Sequence, residues 1–208
     1  MSNKNSSDKI VFITGTPGVG KTTMALELIK RLSKNFDSKL IKINELAIEN
    51  GLIEGEDLEK GYKIVNITEL NEKLHEVLDS FFKAENNFQH DYNKGSNVLK
   101  SKIAIIEGHL SHLCDKCDKV IVLRLDPIIL KTRLESRKYG KSKTYENLEA
   151  EALGVCSVES FEKHGDKVNE INTSHMTKDN VLDIIEDVLF DNKSLPIGEI
   201  DFLDWILS

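Results

Sequence analysis

Eight residues near the start of the chain carry the strongest chemical signal. Gly15-Thr16-Pro17-Gly18-Val19-Gly20-Lys21-Thr22 matches G-x-x-x-x-G-K-[ST]. Its glycines let the backbone turn tightly and aim amides at phosphate oxygens with no side chain in the way. The N-terminus of the following helix adds partial positive charge. The pattern assigns Lys21 to the β and γ phosphates of ATP and the Thr22 hydroxyl to Mg2+. Thr23 offers a further hydroxyl and amide to the α phosphate, and Gly15, Gly18, Val19 and Gly20 complete the expected ATP-binding set.

A second constellation follows the apolar run Ile103–Ile106: Glu107-Gly108-His109-Leu110-Ser111-His112. A carboxylate at the C-terminal end of a buried strand is where a phosphate-loop protein holds its magnesium shell, through water, and Glu107 suits that role. His109 is the candidate to position a water or a proton near the γ phosphate. In isolation it would read as a hydrogen-bonded histidine at a strand end. His112 has the weaker claim and reads as structural. Of four arginines, Arg31, Arg124, Arg133 and Arg137, Arg133 lies one helical turn from Arg137, so both could face the same cleft, and Arg124 is, with Arg133, a second candidate to Arg137. A planar, permanently charged fork suits the spread charge of a transferring phosphoryl group.

These residues need a scaffold, and the periodicity supplies one. Lys9–Thr14 reads as a strand and Lys21–Leu32 as a helix, the setting a phosphate loop requires. Short strands at Lys39–Ile43, Ile103–Ile106, Val120–Leu123 and Lys167–Ile171 alternate with helices at Glu45–Glu49, Leu70–Phe82, Pro127–Arg137 and Thr177–Leu189. That alternation predicts a single α/β domain with a parallel sheet and helices on both faces. Leu52–Asn66 has weak periodicity, and Glu85–Ser101 reads as a surface insertion or exposed loop. An apolar tail, Asp191–Ser208, is expected to dock on the domain or on a partner.

Composition narrows the function classes. A net charge of −7 argues against an extended nucleic-acid surface. No apolar run is long enough to cross a bilayer, and Met1–Lys9 lacks the apolar core of a signal peptide, so a cytoplasmic or, in a eukaryote, nuclear location is expected. Three cysteines suggest reduced thiols; Cys114 and Cys117 form a C-x-x-C with only His112 nearby as a third metal ligand. The guanine signature N-K-x-D is missing, which disfavours a GTPase-like switch.

With these residues in view, the chain resembles the adenylate kinase isoenzyme six family, archaeal members included. The carrying residues are Gly15–Thr23, Glu107–His112, Val122-Leu123-Arg124, Arg137, Tyr139, Lys143, Glu146-Asn147, Glu149-Ala150-Glu151 and Pro196–Trp205. The resemblance covers most of the chain. It implies a nucleoside monophosphate kinase fold with a five-stranded parallel sheet, a monophosphate-binding region at about 37–61 and a small lid at about 136–146. Within that lid Arg137 would contact ATP. It also implies phosphoryl transfer from ATP to AMP or another monophosphate, ATPase activity, and a part in small ribosomal subunit maturation. That last role would involve a platform ribosomal protein, the pre-ribosomal particle and processing of the rRNA 3′ end. A related alternative is an ATPase-driven assembly factor with vestigial kinase activity.

The sequence departs from the family at three places. Glu107 stands where many members carry Asp, and Lys138 where glycine is common. Residues 37–61 contain no arginine, and Ile48 occupies the position where some relatives have it. Lys42, Lys60 or Lys63 could substitute as point charges without bidentate geometry.

Overall fold

In the computed structural model the described residues are 8–57, 62–84, 88–91 and 96–207. The chain runs β1 (Lys9–Thr14), α1 (Lys21–Leu32), β2 (Asp37–Lys42), α2 (Ile43–Glu49), β3 (Ile53–Asp57), β4 (Tyr62–Val65) and α3 (Ile67–Lys83). It continues with β5 (Phe88–Asp91), β6 (Ser96–Leu99), β7 (Lys102–Glu107), β8 (Lys119–Arg124), α4 (Pro127–Ser136) and α5 (Lys141–Ala152). The last elements are α6 (Val155–His164), β9 (Val168–Asn172), α7 (Lys178–Leu189) and α8 (Asp204–Leu207).

Five strands form the expected parallel sheet, in the order β2-β7-β1-β8-β9. The central strands β1, β7 and β8 are covered on both faces, so their middles are apolar and read as continuous runs. Alternate residues of β1 then serve two cores. Val11 and Ile13 join Leu28 of α1, Leu130 of α4 and Ile185 of α7. Ile10 and Phe12 face the other way, onto Ala47 of α2 and Leu70, Leu74 and Leu78 of α3. Strand order reverses about β1, a topological switch point, so the C-terminal ends of β1 and β7 frame a crevice.

Two stretches without clear periodicity form antiparallel hairpins. β3 pairs with β4, with an irregular register between Ile53 and Gly55. The segment Glu85–Ser101, expected as a loop, contains the β5–β6 hairpin. Strands of four or five residues that pair only with each other are too short to set up a period, so alternation had little to report. Lys60, one of the candidate phosphate contacts, lies outside the described residues.

The C-terminal tail lies along the domain. Leu195 donates its N–H to Asn169 Oδ1 at 2.8 Å, and its carbonyl accepts from Glu170 N at 2.9 Å. Leu195 and Trp205 pack against the α1-side core, and the Trp205 ring sits 5.8 Å from that of Tyr145 on α5. No helix among the described residues is long and apolar enough to cross a membrane.

Candidate active site

The loop between β1 and α1 is shaped by its first glycine. Gly15 has φ +132°, and a Cβ there would run into the carbonyl oxygen of Leu123 on β8. Lys21 begins α1 and turns back over the loop: its Nζ donates to the carbonyls of Gly15 at 2.7 Å and Thr16 at 3.0 Å. Burial lowers its pKa to about 8, against the opposing pull of Glu107 and Glu151. A buried ammonium ringed by loop carbonyls at a helix N-terminus is equipped to receive a polyanion.

Parallel pairing delivers the second motif to the same spot. Ile13 is in register with Glu107, so the end of β7 abuts the start of the loop. Thr22 Oγ1 lies 3.2 Å from both oxygens of Glu107. Burial raises the Glu107 pKa, while Thr22, Lys21 and Lys42 draw it down. Gly108 follows with φ +146°, and a Cβ there would collide with Ile43 Cγ2 at the start of α2. That close approach aims His109 into the cleft. Burial pushes the His109 imidazole down to about 4, helped by Lys21, so the ring is neutral at ordinary pH.

Two clefts meet at the loop. The larger, about 750 Å3, is bounded by Lys21, Thr22, Glu107 and His109 on one side and by Arg137, Tyr139, Lys143 and Asn147 on another. Its third wall is Asn44, Ala47, Ile48, Ile53, Lys63 and Val65. The smaller, about 280 Å3, lies beyond Gly18–Gly20 and is lined by Thr23, Met24, Arg133, Thr173, Met176 and Lys178. Arg137, at the C-terminus of α4, lines both.

Relatives place this arrangement. A family model described as an AAA domain matches residues 11–154. A "Putative adenylate kinase" of Methanothermobacter thermautotrophicus is 39% identical over 199 residues, covering 96% of this chain and 100% of that protein. The chain belongs to the family of these "Putative adenylate kinase" proteins. Its fold is that of a P-loop kinase. A second member, from Methanococcus maripaludis, is 36% identical over 94% of this chain and 96% of its own. Among solved structures, thymidylate kinase from Candida albicans is similar with a TM-score of 0.48 at 13% identity, over 89% of this chain and 92% of that one.

Within this family member, the sequence candidates divide. Gly15, Gly18, Val19, Gly20, Lys21, Thr22, Thr23, Glu107, His109 and Arg137 lie at or beside the two clefts. Arg133 lines the smaller cleft and braces the loop, donating to Val19 O at 3.1 Å. Arg124 is not a cleft residue: it is buried, donating to Glu151 at 2.9 Å and Glu170 at 2.7 Å. As a strand-end residue it shares the position of Glu107, but its side chain turns into the protein toward two carboxylates. His112 bridges Thr14 Oγ1 at 2.7 Å and Glu159 at 2.9 Å, a link between β1 and α6. With both ring nitrogens engaged, it leaves the C-x-x-C without that third ligand. Cys117 Sγ lies 3.3 Å from His164 Nδ1, and burial pushes the Cys114 thiol up to about 12. Lys42 pairs with Glu45 at 2.7 Å, so Lys63 is the candidate point charge that lines the cleft. Sequence reasoning gave no role to Glu151, which accepts from the Thr16 hydroxyl. It noted Glu151 only within a matching segment, because a partner 135 positions away leaves no local signal.

Proposed function

We propose that this protein is a magnesium-dependent nucleoside monophosphate kinase that moves the γ-phosphoryl group of ATP to AMP or another monophosphate, with slower ATP hydrolysis as a side reaction. The observation that carries this reading is the pair of clefts joined at Gly18, Gly20, Thr23 and Arg137, with Lys21 in the larger. An enzyme that only hydrolyses ATP needs room for one nucleotide. Here the smaller cleft suits the ATP nucleoside and the larger the acceptor, with the phosphates crossing the loop between them. The names of the relatives support the same class.

The residues fit Mg2+. A hydroxyl and a buried carboxylate face each other, and burial already works against the carboxylate's charge, which a hard divalent cation would restore. Thr22 would hold the ion and Glu107 its water shell. When bound, the ion neutralises charge on the β and γ phosphates. Lys21 spans those phosphates. Arg137 meets the charge spreading over the γ-phosphoryl group as an acceptor oxygen bonds to phosphorus and the bridging oxygen leaves with ADP. An anionic acceptor oxygen needs no base. Water does, and neutral His109 beside Glu107 is placed to hold one for the side reaction.

A second reading, an ATPase-driven assembly factor acting on the small ribosomal subunit through a platform ribosomal protein, is favoured by the acceptor wall, since residues 37–61 carry no arginine. ATP turnover with Mg2+, alone and with AMP, CMP, GMP or UMP, separates the two. The diphosphate of the added monophosphate is expected to accumulate. Slow phosphate release indifferent to every monophosphate would replace the kinase with the assembly factor.

A further inference from the structure

Beneath the phosphate loop lies a buried ionic cluster that the proposed chemistry does not use. Glu151, Arg124 and Glu170 are 1%, 3% and 4% exposed. Glu151 Oε1 accepts from Arg124 Nε and from the Leu125 backbone N–H, both at 2.9 Å, while its Oε2 accepts from the hydroxyl of Thr16. Arg124 also donates to the Glu151 carbonyl at 2.7 Å and to Glu170 Oε1 at 2.7 Å. The far oxygen of Glu170 accepts from Gly198 N in the tail at 3.0 Å, and the tail's Phe202 ring lies 5.3 Å from the guanidinium carbon of Arg124.

Three features make this more than a structural ion pair. Two carboxylates share one guanidinium, and Glu151 acts electrostatically on Lys21, the nearby loop cation. Moreover, Lys143, Asn147 and Glu151 are spaced by four, one stripe of α5, so the helix fixed at Glu151 is the one that presents Lys143 and Asn147 to the larger cleft.

We infer that Glu151 is a positioning residue for the phosphate loop, holding Thr16 and hence the Gly15–Lys21 turn, and that Arg124 and the C-terminal strap from Leu195 to Trp205 hold Glu151 in place. The inference rests on the proposed binding of ATP by this loop. A purely structural triad would set stability alone, since breaking a buried pair destabilises whatever its neighbours do. A positioning residue must also change the loop's affinity for phosphate through Thr16.

The test measures the dissociation constant for MgATP and the thermal midpoint on the full chain in a double-mutant cycle. Thr16→Ser keeps the hydroxyl and binds within about twofold of wild type, whereas Thr16→Val binds about fivefold more weakly, the scale of one lost hydrogen bond. Glu151→Gln weakens binding to a similar degree alone and adds nothing in the Thr16→Val background, while a loss of thermal midpoint persists there because the Arg124 and Leu125 contacts of Glu151 are independent of Thr16. Phe202→Ala weakens binding by about twofold.

Wild-type affinity in Thr16→Val, or losses that multiply to about 25-fold in the double variant, would overturn the inference. Should Glu151→Gln fail to fold, Glu151→Asp, which keeps the charge but shortens the reach, takes its place in the cycle with the same coupling expected. Wild-type affinity in Phe202→Ala would remove the strap from it. A wild-type protein that does not bind MgATP would overturn the functional reading and this inference with it; binding without coupling overturns the inference alone.

Discussion

Two of the three walls of the larger cleft are built differently. On the phosphate-loop side every key group is held by another: Lys21 by two loop carbonyls, Thr16 by Glu151, Thr22 facing Glu107, and the Val19 carbonyl by Arg133. The third wall is mainly apolar, Ala47, Ile48, Ile53 and Val65, with Asn44 and the exposed Lys63. Preorganised polar groups recognise one charge pattern at fixed geometry, whereas an apolar wall discriminates weakly between similar shapes. On the proposed reading the protein is strict about triphosphate and permissive about acceptor.

The strongest challenge to that contrast is Lys21→Ala, expected to reduce ATP turnover about a thousandfold by every route. Retained turnover would take the loop out of the chemistry. The same lysine predicts a pH effect of two opposite signs. Its folded pKa of about 8 means kcat/KM for ATP falls as pH rises through about 8, because the ammonium is lost. Stability moves the other way. Between about 8 and the ordinary 10.5 the unfolded chain binds the extra proton, so the fold gains stability as pH rises through that window. Denaturant titrations at fixed pH values check this, and a wild-type trend unchanged in Lys21→Ala would assign it to another group.

A smaller effect is expected at Arg137, which is exposed and shared by both clefts. Arg137→Ala should lower kcat about a hundredfold while weakening ATP binding less than about threefold, the signature of a contact strongest in the transition state. Equal losses would make it a docking residue. The mildest change sharpens the acceptor side. Ile48 is 54% exposed and lines the cleft, so Ile48→Arg buries no charge. It should lower KM for AMP about fivefold by adding a bidentate phosphate contact. An unchanged KM would mean that the acceptor phosphate does not reach this wall.

The sheet was legible because β1, β7 and β8 are buried on both faces and carry continuous apolar runs between their polar ends. The β3–β4 and β5–β6 hairpins were not, since strands of four or five residues paired only with each other leave no such trace. Lys102 is a further case: it sits in β7 as a buried lysine whose ammonium caps the end of α3 through the carbonyls of Phe81 and Ala84 at 2.9 and 2.7 Å. A lysine flanking an apolar run gives no hint of that.

The sequence by itself determined the phosphate loop, the strand-end acid and the histidine two positions on, because each is a short motif whose geometry comes from one turn of backbone. Tertiary structure alone decided where the arginines point. Arg133 braces the loop, Arg137 faces both clefts, and Arg124 is withdrawn to Glu151 and Glu170. A side chain with four rotatable bonds at the end of a strand or helix can reach several neighbours, and partners 27 and 46 positions away choose among them. Those partners become neighbours only when the sheet and its helices have packed.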